Sequence, residues 1–382
     1  VDKKITELPY LKSLQSSDLM MLGTGATLNL YLESKKSSQF NFLIGLQPAS
    51  SINNKVQFTG DLNLDLKNSF GYGENIQLKW QQLQPKSPRL NLGYAKPYLF
   101  NSLFNADAGF ELFKKDSSFL QINSQIGLQF SISNTQTGKI FLQWQHTGLL
   151  SGGVDTNKIK VEKKLPVNVD LNQSNIGFNY LWNNTNYKFN PKKGNDFSLI
   201  SVFGFKSMEK NQDVISIKEA GYNYSSLYDS VKLKTYTIKL KLNYSHYFPL
   251  GRSSTIKSTI NCATLLSSEF FRNELYQIGG FNLLRGFDEE SIYAKDYCVL
   301  SSEYRLLFGQ NSYLSFFVDY GKVSNNYRDY HFQNQFLSGG IGFLFETKAG
   351  LLNLNYAIGK RDDVPFKLRE ASKIHFGYIN YF

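Results

Sequence analysis

The chain has 382 residues, of which 41% are hydrophobic and 15% are aromatic, with 24 tyrosines and 31 phenylalanines. It contains no run of about eighteen apolar residues, and this excludes a membrane protein built from transmembrane helices. The formal net charge is +11, but the lysines are scattered through predicted loops and alternate strand faces, so we expect no nucleic-acid binding.

The first 39 residues differ in pattern from the rest of the chain. Residues 2–15 are polar with a weakly helical spacing, and residues 27–33 predict a single strand. The sequence begins at Val1, without an initiator methionine or a leader peptide, so we expect the gene product to extend further upstream. Residues 1–39 are therefore interpreted as the remnant of an upstream domain or its linker, and residues 40–382 as the main domain.

From Phe40 onward, apolar and polar residues alternate. Leu62, Leu64 and Leu66, for example, are separated by aspartate and asparagine. An alternation with a period of two residues is typical of strands with one apolar face and one polar, solvent-facing side. About sixteen such segments follow one another, each near the ten residues that a tilted strand needs to cross a bilayer.

The connections between these segments distinguish a barrel from a soluble sandwich, which also alternates. Short connections are predicted at residues 133–138, 249–254, 308–312 and 348–350. Long connections are predicted at residues 151–174, 209–233, 269–295, 325–335 and 360–372. Short turns at one rim, long loops at the other and an even strand number are typical of bacterial outer-membrane barrels. We therefore predict an all-β fold, a transmembrane antiparallel β-barrel of about sixteen strands in the outer membrane.

The connection at residues 269–295 is long enough to fold back into the lumen, and Gly279, Gly280 and Gly286 permit the tight backbone that such a return requires. Arg285 would be its anchor, because a guanidinium group suits paired carboxylates. The alternative is that Arg285 is an ordinary arginine on a surface loop.

Glu303 and Asp319 are the acids that Arg285 could meet. Each lies on the polar face of a predicted strand, the twelfth and the thirteenth of the barrel. A basic side chain on the lipid face costs about 2 to 4 kcal/mol near the midplane, and an acid less, so these polar faces should point into the lumen. Both carboxylates would then lie on one patch of inner wall.

Two short motifs accompany these residues: Leu284-Arg285-Gly286-Phe287 in the loop, and Phe317, Asp319 and Gly321 on the thirteenth strand. They resemble the (Val/Leu)-Arg-Gly-(Phe/Tyr) and Phe-x-Asp-x-Gly motifs of the bacterial-surface-antigen and two-partner-secretion superfamily of outer-membrane barrels, which includes the BamA/TamA type. The resemblance is specific over about the final 110 residues and architectural before them. It implies that Arg285 pairs with Asp319, Glu303 or both. It also implies an upstream periplasmic domain of the POTRA type, of which residues 1–39 would be the remnant.

Closure of the barrel would pair its first strand with its last. A glycine in each weakens strand pairing, so this lateral seam could open and offer an edge for β-augmentation. The alternative is a permanently closed seam. The seam residues are Phe40, Phe42, Ile44, Gly45, Ile374, Phe376, Gly377, Tyr378 and Phe382.

The resemblance implies a protein that inserts or exports other proteins. The first hypothesis is an outer-membrane assembly or insertion factor that acts through a weak seam, and the alternative is a polypeptide export pore of the two-partner-secretion type. A porin is less well supported, because it would not need an arginine-anchored loop. An enzyme is not expected: Asp329 and His331 share a predicted outer loop, but no serine nucleophile or second acid can be assigned to them.

No metal-binding spacing or cofactor motif occurs in the sequence, and no cofactor is expected. The expected partners are unfolded or nascent outer-membrane and secreted proteins, with accessory lipoproteins or periplasmic subunits. Outer-membrane lipid is a further partner, and a lysine-rich surface would suit anionic lipopolysaccharide.

Two cysteines, Cys262 and Cys298, lie on either side of the arginine-containing loop. An oxidising compartment would permit a disulfide between them. Their predicted positions along neighbouring strands are offset by several residues, so we expect two residues that pack separately.

Overall fold

A computed structural model describes residues 10–23, 25–35, 37–47, 57–187, 190–327, 330–347 and 350–381. Four short strands precede the barrel: β1 (Leu11–Ser13), β2 (Asp18–Leu22), β3 (Gly25–Asn29) and β4 (Leu32–Ser34). The first eight barrel strands are β5 (Gln39–Gln47), β6 (Gln57–Lys67), β7 (Asn75–Gln84), β8 (Ser87–Lys96), β9 (Phe104–Lys115), β10 (Phe119–Ser133), β11 (Gln136–Leu149) and β12 (Asp170–Asn183).

The second half of the barrel includes one interruption, where two short strands lie in the connection between β15 and β18. The strands are β13 (Gly194–Glu209), β14 (Lys234–Pro249), β15 (Ser254–Ser267), β16 (Tyr276–Ile278), β17 (Ile292–Ala294), β18 (Asp296–Leu307), β19 (Tyr313–Tyr327), β20 (Tyr330–Thr347), β21 (Gly350–Arg361) and β22 (Ser372–Tyr381). The helices are α1 (Thr156–Glu162), α2 (Gln212–Ile215) and α3 (Leu368–Ala371), with 3₁₀ turns at Leu99–Asn101, Ser151–Gly153, Tyr224–Ser230 and Arg272–Glu274.

Sixteen strands of the described chain, β5 to β15 and β18 to β22, form one closed antiparallel barrel. This confirms the predicted fold class. Each strand pairs with its neighbour in sequence, and β22 pairs with β5 to close the cylinder. Both ends of the barrel chain therefore lie at one rim, where Tyr381 is opposite Gln39. The long connections lie at the other rim, which the general rule for such barrels makes the extracellular one.

Alternation along each strand separates a lipid-facing surface from the lumen. In β10, Ile126 and Leu128 are about half exposed on the outer surface, as lipid-facing side chains should be. In β18, Glu303 and Arg305 are buried on the inner face. None of the helices in the described ranges is long and apolar enough to cross a membrane.

The segment before the barrel forms two nested two-stranded sheets, β1 with β4 and β2 with β3. The prediction of one strand over residues 27–33 was wrong, because the chain changes partner at Leu30 and Tyr31. β3 ends against β2, and the backbone oxygen of Tyr31 then accepts from the N–H of Leu14, 2.9 Å away, where β4 joins β1. Most of the polar segment at residues 2–15 lies outside the described residues.

The prediction of an outer loop over residues 325–335 was also wrong, because β19 and β20 continue through most of it. Those polar residues of this segment that the structure describes belong to strands that rise above the rim. Asn325 is buried, and its amide donates to the backbone oxygen of Tyr293, 3.2 Å away in the connection between β15 and β18. Asp329 and the side chain of His331 lie outside the described residues.

The two cysteines are directly opposite each other on β15 and β18, and a disulfide joins them. The expectation of an offset was therefore wrong. The offset would hold only if the two strands ended level with each other. In the structure the β15–β18 ladder ends where Thr264 is opposite Asp296, while residues 266 and 267 continue along β14 alone.

The long extracellular connections pack together into a small apolar core above the rim. The connections at residues 150–169 and 210–233 supply most of it, and Phe271, at the start of the next connection, is fully buried in it. Lys206 of β13 donates to both carboxylate oxygens of the buried Glu274, at 2.7 and 2.9 Å. This core therefore fixes the point from which the connection between β15 and β18 descends into the lumen.

Candidate functional site

The connection between β15 and β18, residues 268–295, is called the arginine loop here. It folds back inside the barrel as a small hairpin in which β16 pairs with β17. Gly279, Gly280 and Gly286 all have left-handed backbone angles, with φ of 113°, 95° and 83°. Residues with a Cβ rarely adopt these angles, so the glycines allow the turns that return the tip to the wall.

Arg285 lies at the tip of the arginine loop and binds both predicted acids. Its Nε and Nη2 donate to the two carboxylate oxygens of Asp319 at 2.8 and 2.6 Å, a bidentate pair. Its Nη1 donates to Glu303 Oε2 at 2.8 Å, and its Nη2 also donates to Ser301 Oγ at 2.8 Å. The guanidinium carbon lies 3.5 Å from the centre of the Phe317 ring. Every nitrogen of the guanidinium therefore has an acceptor on the inner wall.

Burial alone would lower the pKa of Arg285, but the hydrogen bond and charge of Asp319, with those of Glu303, raise it above its ordinary value. Asp319 is only 1% exposed. Ser301 donates to Asp319 Oδ1 at 2.6 Å, which gives this carboxylate a third kind of donor besides the arginine side chain and the Arg285 backbone N–H. These paired charges fix the loop to the wall, because removing one partner would leave the other charge buried and unpaired.

A second arginine extends the network toward the periplasmic rim. Arg305 donates to Glu303 Oε1 at 2.7 Å, so Glu303 bridges the two guanidinium groups. Arg305 also donates to Asn190 Oδ1 at 3.2 Å, and Asn190 donates to the backbone oxygen of Gln310 at 3.1 Å. The chain of contacts thus runs from the loop tip down to the turns at the opposite rim.

The other residues of the Leu284–Phe287 motif are held in place by close packing against the wall. A Cβ at Gly286 would lie 2.7 Å from the backbone nitrogen of Gly359 on β21, so only glycine fits there. The Phe287 ring packs edge-on against Phe336, with centroids 5.2 Å apart. Leu284 is fully buried, and both of its methyl groups lie 3.4 Å from the position that a Cβ at Gly321 would take.

The far side of the arginine loop reaches other walls of the barrel. Asp288 pairs with Lys373 of the last strand, and Glu290 pairs with Arg89 of β8. The Phe281 ring lies 5.6 Å from the His375 ring, also on the last strand. The loop therefore bridges β18 and β19 to β8 across the lumen, and it contacts β22 next to the seam.

At the seam, residues 374–381 of β22 pair with residues 39–46 of β5. Phe40, Phe42 and Ile44 share the lipid-facing side with Ile374, Phe376 and Tyr378, and the rings of Phe42 and Tyr378 are 5.2 Å apart. Gly377 faces the lumen opposite Leu43, and Gly45 is opposite His375, so the two glycines are not opposite each other. Phe382 lies outside the described residues.

This ladder is not exceptional in length among the described strands. The ladders between β6 and β7, at residues 60–67, and between β8 and β9, at residues 89–96, contain the same number of residue pairs. The seam belongs to a side of the barrel whose strands are all short. Its weakness relative to other ladders therefore stays a prediction.

Sequence reasoning missed several contacts of the site. Parity along β18 places Ser301 and Arg305 on the same face as Glu303, but it did not predict that Ser301 binds Arg285 or that Arg305 binds Glu303. The pairs Asp288–Lys373 and Arg89–Glu290 carry no local signal, because each joins residues that are far apart in the chain.

A closed sixteen-stranded barrel whose lumen holds an arginine-anchored loop defines a class of outer-membrane β-barrel, and the chain lies in the outer membrane as predicted. More specifically, the chain belongs to the Omp85 superfamily, whose domain matches residues 68–378. No curated protein sequence matches the chain.

Several solved structures share the fold. BamA from Haemophilus ducreyi lacking POTRA domains 1–3 is 16% identical, with a TM-score of 0.62 over 100% of this chain and 77% of that one. CdiB from Acinetobacter baumannii is 13% identical, with a TM-score of 0.60 over 96% of this chain and 66% of that one. CdiB from Escherichia coli is 12% identical, with a TM-score of 0.61 over 99% and 69%. At such low sequence identities, the similarity to these structures shows a shared fold alone.

Proposed function

We propose that the chain is an outer-membrane protein assembly or insertion factor that acts at the seam between β5 and β22. In this proposal the seam opens sideways, and the exposed edge of β5 or β22 pairs with a strand of a nascent barrel. The substrate strand would gain backbone hydrogen bonds there before it moves into lipid, where unpaired backbone groups are very costly.

The observation that carries the proposal is the contact between the arginine loop and the last strand. Asp288 pairs with Lys373, and Phe281 packs near His375, on the lumenal side of β22. The same loop is held at its other end by Arg285 on β18 and β19. A loop fixed to the stable wall and to the closing strand could hold the seam shut or release it.

The experiment is photo-cross-linking in cells, with the cross-linking amino acid placed at one position at a time. Phe40 and Tyr378 report on the seam, and Lys239 and Asn243 report on the lumenal face of β14. We expect nascent outer-membrane proteins to cross-link at the two seam positions. Cross-links at the β14 positions alone would contradict the proposal and favour the second candidate.

The second candidate is an export pore that passes an unfolded polypeptide through the lumen. The polar inner wall favours it, because Lys239, Lys241 and Asn243 line β14 on the side away from the seam. Neither candidate requires a catalytic group, and we expect no enzymatic activity.

The region before the barrel is assigned to an upstream periplasmic unit or its linker. Residues 1–39 would then connect the barrel to a POTRA-type domain that receives substrate. Periplasmic subunits or accessory lipoproteins would bind on that side. Anionic lipopolysaccharide is the proposed lipid partner for the basic outer surface.

A further inference from the structure

The inner wall on the far side of the lumen from β18 and β19 contains a recess of about 420 Å³. It lies on β7, β8 and β9 and reaches β6, β10 and β11 at its edges. Gly93 and Gly109 are directly opposite each other on β8 and β9 and form its floor. A Cβ at Gly109 would find no atom nearer than 3.9 Å, so the space above this glycine is open.

A third glycine on the same wall, Gly127, has no open space above it. A Cβ at Gly127 would lie 2.6 Å from Lys139 Cε and 2.9 Å from Asp107 Oδ2, so neighbouring side chains already occupy its space. A Cβ at Gly93 would lie 3.4 Å from Gln77, so the recess is deepest at Gly109 and is bounded by Gln77 at Gly93. It is called the glycine groove here.

The rim of the glycine groove consists mainly of carboxamides. They are Asn63, Asn75, Gln77, Asn91 and Gln125. Each carboxamide can both donate and accept, as a peptide group does.

The charges around the glycine groove are paired with each other. Lys139 Nζ lies 2.5 Å from Asp107 Oδ1, and Lys79 Nζ lies 3.5 Å from Asp61 Oδ2. Paired charges offer little net attraction to a strongly anionic or cationic ligand. Ligands should therefore be recognised by hydrogen bonds rather than by charge.

We propose that the glycine groove binds an extended, polar polypeptide segment of the substrate inside the barrel. Glycines in the floor let a backbone approach closely, and carboxamides on neighbouring strands, about 4.8 Å apart, meet its alternating N–H and C=O groups. A saccharide fits less well, because sugar rings favour aromatic platforms. The one aromatic residue at the groove, Tyr94, is on an outward-facing position of β8 and is 45% exposed.

The inference rests on the proposed function, in that the bound segment belongs to a protein being assembled. β7 to β9 are the third to fifth barrel strands, close to β5. A substrate whose edge pairs with β5 could therefore rest an adjoining connecting segment in the glycine groove. Loop segments are polar and extended, as the carboxamide rim requires.

Two readouts on the full-length protein test the inference. In cells, a photo-cross-linking amino acid at Asn91 should capture nascent outer-membrane proteins. In planar bilayers, an unstructured serine- and asparagine-rich peptide of about 20 residues, long enough to span the recess, should block the current through the purified barrel. Gly109→Leu fills the recess and should weaken this block about tenfold, the loss of one or two net hydrogen bonds.

Ser198→Leu is the matched control, because it adds the same side chain to the lumenal face of β13, and the block should not change. Gln77→Ala is a second test variant that removes a carboxamide without adding bulk, and it should also weaken the block. Heat-dependent migration on gels establishes that each variant is folded.

The outcomes separate the inference from the proposed function. Capture at Phe40 and Tyr378 but not at Asn91 would overturn the groove and leave the seam function standing. Capture at none of the three positions would contradict both. Block by maltohexaose, but not by the peptide, would make the recess a saccharide site and overturn the inference.

Discussion

Arg285 is the residue on which the position of the arginine loop depends most. Its guanidinium binds Asp319, Glu303 and Ser301, and all three lie on the inner wall. We predict that Arg285→Glu leaves the barrel folded in the membrane but detaches the loop tip and impairs activity. Breaking such a buried pair typically costs roughly 3 to 5 kcal/mol, because the remaining charges lose their partner.

Limited proteolysis of the loop in intact cells, together with an assembly assay, measures this effect. Arg285→Lys is the matched control. It keeps the charge but loses the bidentate geometry, so its effect should be intermediate. Adding Asp319→Arg to Arg285→Glu should restore part of the activity by reversing the pair. If Arg285→Glu showed the same resistance to protease and the same activity as the wild type, the proposed role of Arg285 as the loop anchor would be wrong.

Glu289 makes the stability of the arginine loop in its folded-back position sensitive to pH. It lies in the loop, outside the membrane-spanning strands, and burial raises the pKa of its carboxyl to about 7, although the N–H of Phe281 donates to it. Because the folded-state pKa lies above the ordinary value of 4.5, the seated loop favours the protonated form. The resulting stabilisation is complete below the ordinary value and is lost as the pH rises through about 7.

We therefore expect protease cleavage of the loop to increase as the pH is raised from about 6 to about 8. Glu289→Gln should abolish this pH dependence, because an amide cannot ionise. Glu162→Gln, on the exposed helix α1, is the control and should retain it. An equal pH response in wild type and Glu289→Gln would assign the effect to another group.

The sequence could predict which residues converge at the loop tip, but not all that the loop touches. Parity along β18 and β19 puts Glu303 and Asp319 on one face, and glycines near Arg285 indicate a returning loop. The link from Asp288 to Lys373 depends on how far the loop extends across the lumen. Curvature of the barrel and packing of the extracellular core set that distance, and neither has a local pattern.

At the level of elements, the disulfide between Cys262 and Cys298 joins the two strands from which the arginine loop emerges. It closes a segment with a sequence separation of 36 residues. In the chain-entropy account, a bond across a segment of this length stabilises by about 4 kcal/mol, through restriction of the unfolded chain. The bond lies on the lipid-facing side of the wall, away from Arg285 and its acids.

We predict that Cys262→Ala with Cys298→Ala lowers the temperature at which the barrel loses its folded migration on gels, but leaves assembly activity near wild type. The wild-type protein under reducing conditions should behave in the same way as the double variant. Loss of activity in a double variant that remains folded would mean that the bond has a role in function.

Strand number and closure could be predicted because lipid on one side and water on the other impose alternation on every strand. Element ends could not be predicted as well. At residues 325–335, polar side chains suggested a loop, but Asn325 contacts the arginine loop from a strand that extends above the rim. A polar residue that contacts a protein-filled lumen looks the same in sequence as one in solvent.

At the scale of the whole molecule, the arginine loop connects walls that are distant around the barrel. It is fixed to β18 and β19 by Arg285, to β8 by Glu290 and to β22 by Asp288. The apolar core of the extracellular connections fixes its upper end. Movement of β22 away from β5 would therefore require the contact at Lys373 to break or the loop tip to shift with the strand.

Lateral opening of this seam is the central claim, and a reversible lock tests it most directly. Phe42 and Tyr378 are opposite each other across the seam, and Phe42→Cys with Tyr378→Cys allows a disulfide there. Tyr94→Cys with Ala108→Cys is the matched control on the β8–β9 ladder, which contains the same number of residue pairs. Both pairs are placed in the Cys262→Ala, Cys298→Ala background.

The measurement is assembly of newly made outer-membrane proteins in cells, under oxidising conditions and then after addition of a reductant. We predict that oxidation stops assembly in the seam-locked variant, that reduction restores it, and that the control variant assembles proteins under both conditions. Undiminished assembly through a fully oxidised seam lock would contradict the account.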